Sequence, residues 1–487
     1  MDLLNSFKKI PHLIPLIKIA KEQNLRLWLV GGFLRDFILN PNREFFDFDF
    51  CLNKNPLKFI KEFCLKTKAK YILLDKGEQT YRVIVKRGGK IYTYDFSPMR
   101  GMNFSQDLLS RDFTINTLAV ELTKKPHRII DELGAMKDLK RKIIKVTKKG
   151  VLRADPLRIL RGFSFSQKLG FKIDPNTLKL MAMRKKLLLK TSRERVNEEF
   201  FKILKSDSSY KTIKVMDELK VLDLIIPPVK KARGVTQGGY HHLDVWDHSL
   251  ETLRQYELLY CRRLSKSKEL EFVLNQELAS ERTRGQIIKL ACLLHDLGKP
   301  KAKGLKDKKT IFYTHEKIGA QLAESIAKNL RVSASERDVL KKLVFWHLRP
   351  GYLADQIHPS KRAIYHFFRD TKPEGAAVII LSLSDWRATR GPLTSIHKRK
   401  RHEKIMLDLL NQHIEESKRK PLPRLLNGNI LIKKFKLASG PLIGEILKKV
   451  YEAQVLEKIS KKQEALALAK EIISKKVTIN NKKIRRK

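Results

Sequence analysis

The sequence predicts an α+β chain, in which a head of mixed strands and helices precedes an all-α body. Two observations carry this. Up to Thr147, short segments rich in aromatic and β-branched residues recur: LRLWLVGG, EFFDFDFCL, KYILLD, YRVIVKR and KIYTYDFS. Beyond Thr147 those signals stop. Apolar residues then fall at helical spacing in PLRILRGFSFSQKLGF, RVNEEFFKILK, VWDHSLETLRQY, IIKLACLLHDLGK and EKIGAQLAESIAKNL. The stretch 262–286, RRLSKSKELEFVLNQELASERTRGQ, reads as an inserted loop or exposed helix. The closing KKVTINNKKIRRK reads as a mobile basic tail.

The chain has 487 residues and 42% hydrophobic content, enough for several domain cores. Lys and Arg number 102 against 52 Asp and Glu, a net charge of +50. Such an excess suits a polyanion, because Lys and Arg gain affinity by releasing phosphate counterions. A lysine-rich solvated surface is the competing explanation. The four cysteines form no CxxC pair, which argues against thiolate metal sites and fits a reducing compartment. The N-terminus lacks the apolar core and small-residue cleavage site of a signal peptide. No apolar run approaches the ~18 residues of a spanning helix. The expectation is a cytoplasmic protein with no membrane contact.

The head carries acids in a telling place. Side chains at i and i+2 of a strand share a face, so Asp47 and Asp49 in DFDF stand side by side. Two carboxylates repel unless a cation lies between them, and Mg²⁺ takes carboxylates together with phosphate oxygens. Asp95 in IYTYDFSP suits a third acid of a phosphoryl-transfer site. Gly31 and Gly32 end a strand and open a helix, where a phosphate can approach the backbone, and Arg35 follows one turn on. LLSRDFTINTLAV adds Arg111, Asp112 and Asn116. RADPLRILRGFSF adds Asp155, Arg158 and Arg161, read as one helical face that could meet a base edge and a phosphate. Solvated acids on an exposed strand and a helical salt bridge are the plain alternatives.

These motifs, GGFLRD, DFD, RDFTIN, DELGAMKDLKRKII, ADPLRILRGFSF and SRERVNEEFFKIL, occur in this order. In that order they resemble the class II, bacterial-type tRNA nucleotidyltransferase and poly(A) polymerase family. PLPRLLNGNILIKKFKLASGPLIGEILKKVYEAQ is similar to that family's C-terminal part. The resemblance implies a polymerase-β-like head at 1–146, a helical neck at 147–207, an HD-type helical domain at 208–395 and a tRNA-binding tail at 396–487. It implies two Mg²⁺ on Asp47 and Asp49, with Asp95 as third catalytic acid. Gly31, Gly32 and Arg35 would hold the triphosphate, and Arg111, Asp112 and Asn116 the ribose and phosphates. Asp155 and Arg158 would select CTP or ATP, Arg161 would touch phosphates, and Glu194, Arg195 and Glu198 would brace the templating helix. The partners would be CTP, ATP and the acceptor and T-arm of tRNA. Two features depart from the family: Ala154 replaces the usual Glu before Asp155, and PMRGMNFSQDLLS is a short loop. The short loop raises addition of CC alone, which would require a partner enzyme to add A.

A second set of residues lies in the body. LACLLHDLGK buries His295 beside Asp296, which is costly unless they pair or bind metal. With His248 and Asp385 they resemble the HD phosphohydrolase superfamily's metal positions, and His315 and His347 would serve a second metal. His241 and His242 read as structural or rim residues. The readings are a tRNA nucleotidyltransferase building all or part of CCA, a poly(A) polymerase, an HD-type RNA-end phosphohydrolase with a degenerate head, or an RNA-binding module.

Overall fold

The computed structural model describes Phe7 and residues 10–279, 281–307, 309–418 and 422–484. The chain forms two compact units, Met1–Pro227 and Pro228–Lys487.

The first unit is built on a seven-stranded mixed sheet. Its strands are β1 (Leu27–Val30), β2 (Asp47–Leu52), β3 (Lys70–Asp75), β4 (Thr80–Arg87), β5 (Lys90–Pro98), β6 (Ala119–Glu121) and β7 (Ile129–Ile130), in the order β3-β4-β5-β2-β1-β6-β7. Only β2 and β5 pair in parallel, which sets Asp49 beside Asp95 and Asp47 beside Thr93. Alternation explains the two faces. Phe48, Phe50, Tyr94 and Phe96 are buried on one, and the acids lie on the other. The aromatic rings stack across the strands, Phe50 on Phe96 at 5.2 Å between centroids.

Helices α1 (Leu13–Glu22), α2 (Gly32–Leu39), α3 (Leu57–Thr67), α4 (Phe104–Ser110) and α5 (Ala135–Arg141) complete the head. Phe59 and Phe63 of α3 meet Phe96 and Tyr94 edge-on, so α3 covers the aromatic face and leaves the acidic face open. Next come α6 (Val151–Ala154), α7 (Arg158–Leu169), α8 (Pro175–Arg184) and α9 (Arg193–Leu204). The expected single helical face of Asp155 and Arg158 is not formed. Pro156 disfavours helical backbone at the residue before it, and Asp155 ends α6 at φ −139°, ψ 102°.

The second unit is helical around two apolar helices. Every residue of Arg284–Leu294 is buried, as is nearly all of Gly375–Ala388. The all-α expectation needs two amendments. Hairpins Glu277–Ala279/Arg282–Thr283 and Gly304–Lys306/Lys309–Ile311 occur here. The charged stretch 262–286 is a largely exposed helix followed by a hairpin, not a single loop or helix. Helix Lys268–Asn275 buries Leu270 and Leu274, and Arg284 forms a buried ion pair with Glu374 at 2.7 Å; Ser280 lies outside the described residues. A smaller core gathers Leu431, Ile446, Val450, Ala465 and Ala469. The last helix runs Lys462–Ile484, so the basic end is helical that far; 485–487 lie outside the described residues.

Candidate active sites

In the first unit, β2 and β5 hold the acids rigidly. Thr93 donates its hydroxyl to Asp47. Asp95 accepts a two-pronged pair of bonds from Arg82, 2.8 and 2.7 Å. Among the described residues neither Asp47 nor Asp49 has an ion-pair partner. Gly31, at φ +78°, opens α2, and a Cβ there would stand 3.1 Å from Asp49 Oδ2. Only glycine meets both demands. The backbone N–H of Gly32 favours the charged form of Asp49. Asp49 is exposed, with Gly31, Gly32, Asp95 and Arg111 close around it. Lost hydration and the charge of Asp95 push its carboxyl up, while Arg111 pulls it back. Two unpaired carboxylates on one strand face fit a divalent cation, and Asp47 and Asp49 would hold it.

Arg111 is tied to buried Asp107 at 2.9 Å and comes within 3.6 Å of the same point over Gly31. Arg35 is 3% exposed and donates to Asn116. Asn116 Nδ2 donates to Asp112 Oδ1 at 3.0 Å, and Arg161 Nη2 reaches Asp112 Oδ2 at 2.8 Å. Burial alone would raise the Asp112 carboxyl, but Arg161 and Asn116 hold it below its ordinary range. Phe165 lies under both arginines, 5.2 Å from Arg35 and 5.4 Å from Arg161. Arg35 is thus a scaffold for Asn116, whereas Arg161 keeps an exposed flank.

Asp155, in the gap between α6 and α7, accepts Leu157 N–H at 3.2 Å and meets Arg195 Nη2 at 3.0 Å. Arg158 Nη1 donates to Ser110 carbonyl at 2.8 Å, and burial pulls its pKa down. Glu194 and Glu198 lie exposed on α9. Buried Glu199 on the same helix accepts Ser164 Oγ at 2.7 Å and ties α7 to α9.

In the second unit, five elements bring the histidines and aspartates together. His248 Nε2 lies 2.8 Å from Asp385 Oδ1 and 3.7 Å from Asp296 Oδ2, and His295 Nε2 lies 3.2 Å from Asp296 Oδ2. His315 and His347 Nε2 approach the other oxygen of Asp296, at 3.5 and 3.8 Å. Gly298 makes this closeness possible, because a Cβ there would stand 2.1 Å from the His315 carbonyl oxygen. The ring orientations are fixed from behind. His295, His315 and His347 turn Nδ1 to the carbonyls of Cys292, Phe312 and Val344, at 3.0, 2.7 and 2.6 Å. Their Nε2 atoms and Asp296 Oδ1 are buried without a hydrogen-bond partner. Backbone-oriented imidazoles whose Nε2 atoms converge on two carboxylates without a hydrogen-bond partner could hold a transition metal.

Burial drives His347 down to about 3 and lowers His315. It would lower His295 too, but Asp296 and Asp385 raise it to about 10. Both aspartates are held well below their ordinary range, their histidine neighbours outweighing burial. Buried Lys299 places Nζ 2.7 Å from Asp296 Oδ2 and 2.6 Å from Gln237 Oε1. His241 packs edge-on against His248 at 4.7 Å, and burial lowers it to about 3; His242 is exposed.

Four known domain families match successive parts of the chain. A poly(A) polymerase head domain matches residues 27–145, and an RNA and SrmB binding site of polymerase A matches 170–233. An HD domain matches 245–389, and a tRNA nucleotidyltransferase domain 2 matches 394–469. The chain is 30% identical to the A-adding tRNA nucleotidyltransferase of Deinococcus radiodurans over 90% of its own length and 94% of that protein. The chain belongs to the tRNA nucleotidyltransferase family. A CC-adding tRNA nucleotidyltransferase of Thermus thermophilus is 28% identical over 81% of this chain and 82% of that one. The fold matches the Thermotoga maritima CCA-adding enzyme in complex with tRNA, at TM-score 0.64 and 21% identity over 98% of each chain.

As a member of this family of nucleotidyltransferases, the chain keeps the mixed-sheet head and helical body that its motifs imply. Sequence reading missed four residues of the two sites. Lys299 was legible, three residues after Asp296 in HDLGK and so on the same side of a helical turn. Glu199 differs from Glu198 only by helix phase. Gln237 joins its site across 62 residues with no local signal, whereas Arg82 faces Asp95 across a hairpin turned by Gly88 and Gly89. Among the described residues, no helix is long and apolar enough to cross a membrane.

Proposed function

We propose that the chain adds all or part of the 3′-terminal CCA to tRNA from CTP and ATP, without a nucleic-acid template. The observation that carries this is the acidic face of β2, where Asp47 and Asp49 have no ion-pair partner among the described residues and Asp49 lies against the Gly31 turn. Two Mg²⁺ held by Asp47 and Asp49 would supply charge stabilisation to the reacting phosphate and lower the pKa of the attacking hydroxyl. The open backbone at Gly31 and Gly32 admits the triphosphate, and Arg111 and Arg161 bring positive charge to it. The RNA 3′-hydroxyl attacks the α-phosphate, and pyrophosphate leaves. Asp155 and Arg158 offer an acceptor and a forked donor to the edge of the incoming base. Arg195 steadies the first from α9, and the Ser110 carbonyl steadies the second. In this reading 1–146 is the catalytic head, 147–207 the templating neck and 396–487 a tRNA-binding tail, with the net charge of +50 serving the RNA.

The test is transfer with Mg²⁺ onto tRNA transcripts ending at the discriminator base, at C or at CC, with CTP and ATP singly and together. Addition of CC and then A makes a complete CCA enzyme. Arrest at CC, or A added only to CC ends, makes a partial one that needs a partner enzyme. Long A tails on any RNA identify a poly(A) polymerase and overturn the reading.

A second activity is favoured by the orphaned Nε2 atoms of His295, His315 and His347. We infer that His248, His295, Asp296 and Asp385 hold a divalent metal, and His315 and His347 a second, for hydrolysis of a phosphoester on RNA ends. Lys299 neutralises Asp296 and brings positive charge toward an entering phosphate. Metal-dependent phosphodiesterase activity lost in His295→Ala tests it; an intact activity in that variant would exclude this centre.

A further inference from the structure

Asp47, Asp49 and Asp95 share one face of the sheet but are not equivalent. Both oxygens of Asp95 are engaged: Arg82 Nε donates to Oδ1 at 2.8 Å and Nη2 to Oδ2 at 2.7 Å. The pairing is built into the backbone. Arg82 on β4 is the antiparallel partner of Asp95 on β5, and Asp95 is the parallel partner of Asp49 on β2. Residues directly opposite on neighbouring strands have adjacent side chains. A guanidinium fork on a carboxylate fixes the geometry and neutralises the charge of both. Arg82 also lies in the field of Asp47 and Asp49.

We propose that Arg82 is a positioning residue of the transfer site: it withholds Asp95 from metal and sets how tightly Asp47 and Asp49 take a divalent cation. This rests on the reading of Asp47 and Asp49 as metal-binding. With Asp95 neutralised, the site presents two carboxylates, not three. Mg²⁺ is suited by one or two carboxylates when nucleotide phosphates and water complete its shell. A third bare carboxylate would hold the cation tightly before nucleotide arrives and would repel the triphosphate.

The experiment titrates Mn²⁺ into the full chain without nucleotide and counts bound ion by electron paramagnetic resonance. Ion taken by the head is the fraction lost in Asp47→Ala/Asp49→Ala. If that variant loses none, the metal reading itself fails, independently of Arg82. Arg82→Gln should bind the head Mn²⁺ about tenfold more tightly, because it exposes one more negative charge. It should also move the Mg²⁺ optimum for transfer to lower concentration and raise the nucleotide KM. Arg82→Gln/Asp95→Asn exchanges a neutral ion pair for two neutral amides, and its Mn²⁺ affinity should stay within about threefold of wild type. Arg82→Lys keeps the charge and should restore wild-type affinity. Unchanged or weaker Mn²⁺ binding in Arg82→Gln would overturn the proposal. So would a loss of about tenfold or more in the double variant, which would make Asp95 a metal ligand.

Discussion

The acids of the head and the histidines of the helical unit are two ways of preparing a chain for cations. In the head, Asp47 and Asp49 stand open on a strand, and cationic arginines lie close by. The site resembles half a coordination shell, awaiting a ligand that brings the other half. In the helical unit the donors are buried, aimed from behind by backbone carbonyls, and already crowd one another. That site supplies most of a shell by itself. A metal that must come and go with nucleotide suits the first; a resident metal suits the second.

The sharpest way to break this contrast is Asp49→Ala. Transfer should fall by about 10³-fold or more, since on the proposed reading the carboxylate would hold the cation at the reacting phosphate, with tRNA affinity changed less than about twofold. A steady-state transfer assay beside a filter-binding titration reads both. Next in size is His295→Ala. It should strip the helical unit of tightly bound metal, measured by elemental analysis, while transfer stays within about threefold. Asp155→Ala should cut kcat/KM by about 10–100-fold and narrow the preference for CTP and ATP over UTP and GTP, read by single-nucleotide incorporation. Loss confined to kcat, with discrimination intact, would move base selection elsewhere.

The pH dependence sharpens the contrast further. His241, His315 and His347 are neutral in the fold with pKa values pulled below 6.5, so the stability they contribute is present above that pH. It is lost as pH falls from 6.5 toward about 3. His295, raised to about 10, acts oppositely, losing its contribution as pH rises above 6.5. Below pH 6.5 His295 is charged in the folded and unfolded chain alike and does not oppose them, so thermal melts of the metal-free chain should weaken from pH 6.5 downward. Metal should raise Tm more at pH 7 than at pH 5.5, because it needs neutral imidazole. The smallest effect is Glu199→Gln, which weakens the Ser164 brace between α7 and α9 by about 1–2 kcal/mol in denaturant unfolding.

The two sites were unequally legible. DFDF reports itself, since period-two alternation sends Phe48 and Phe50 inward and the acids outward. His248 and Asp385 pair across 137 residues, so the helical site was legible only in the apolar run around His295 and Asp296 and in the order of motifs, while the aiming of each ring by its neighbouring carbonyl was invisible. The helix break at Asp155 was legible in its next residue, Pro156, and a reading by helical spacing alone passes over it. The clasp of Arg82 on Asp95 was legible in the two-residue Gly88–Gly89 turn, which pairs Arg87 with Lys90 and so sets Arg82 opposite Asp95; a reading of each strand by itself passes over it.

The most direct measurement compares Asp47→Ala and His295→Ala in one preparation each, assayed for CTP and ATP transfer onto tRNA and for phosphoester hydrolysis. Transfer should vanish in Asp47→Ala alone and hydrolysis in His295→Ala alone. Transfer that survives in Asp47→Ala, or disappears in His295→Ala, would contradict the head as the seat of nucleotide addition.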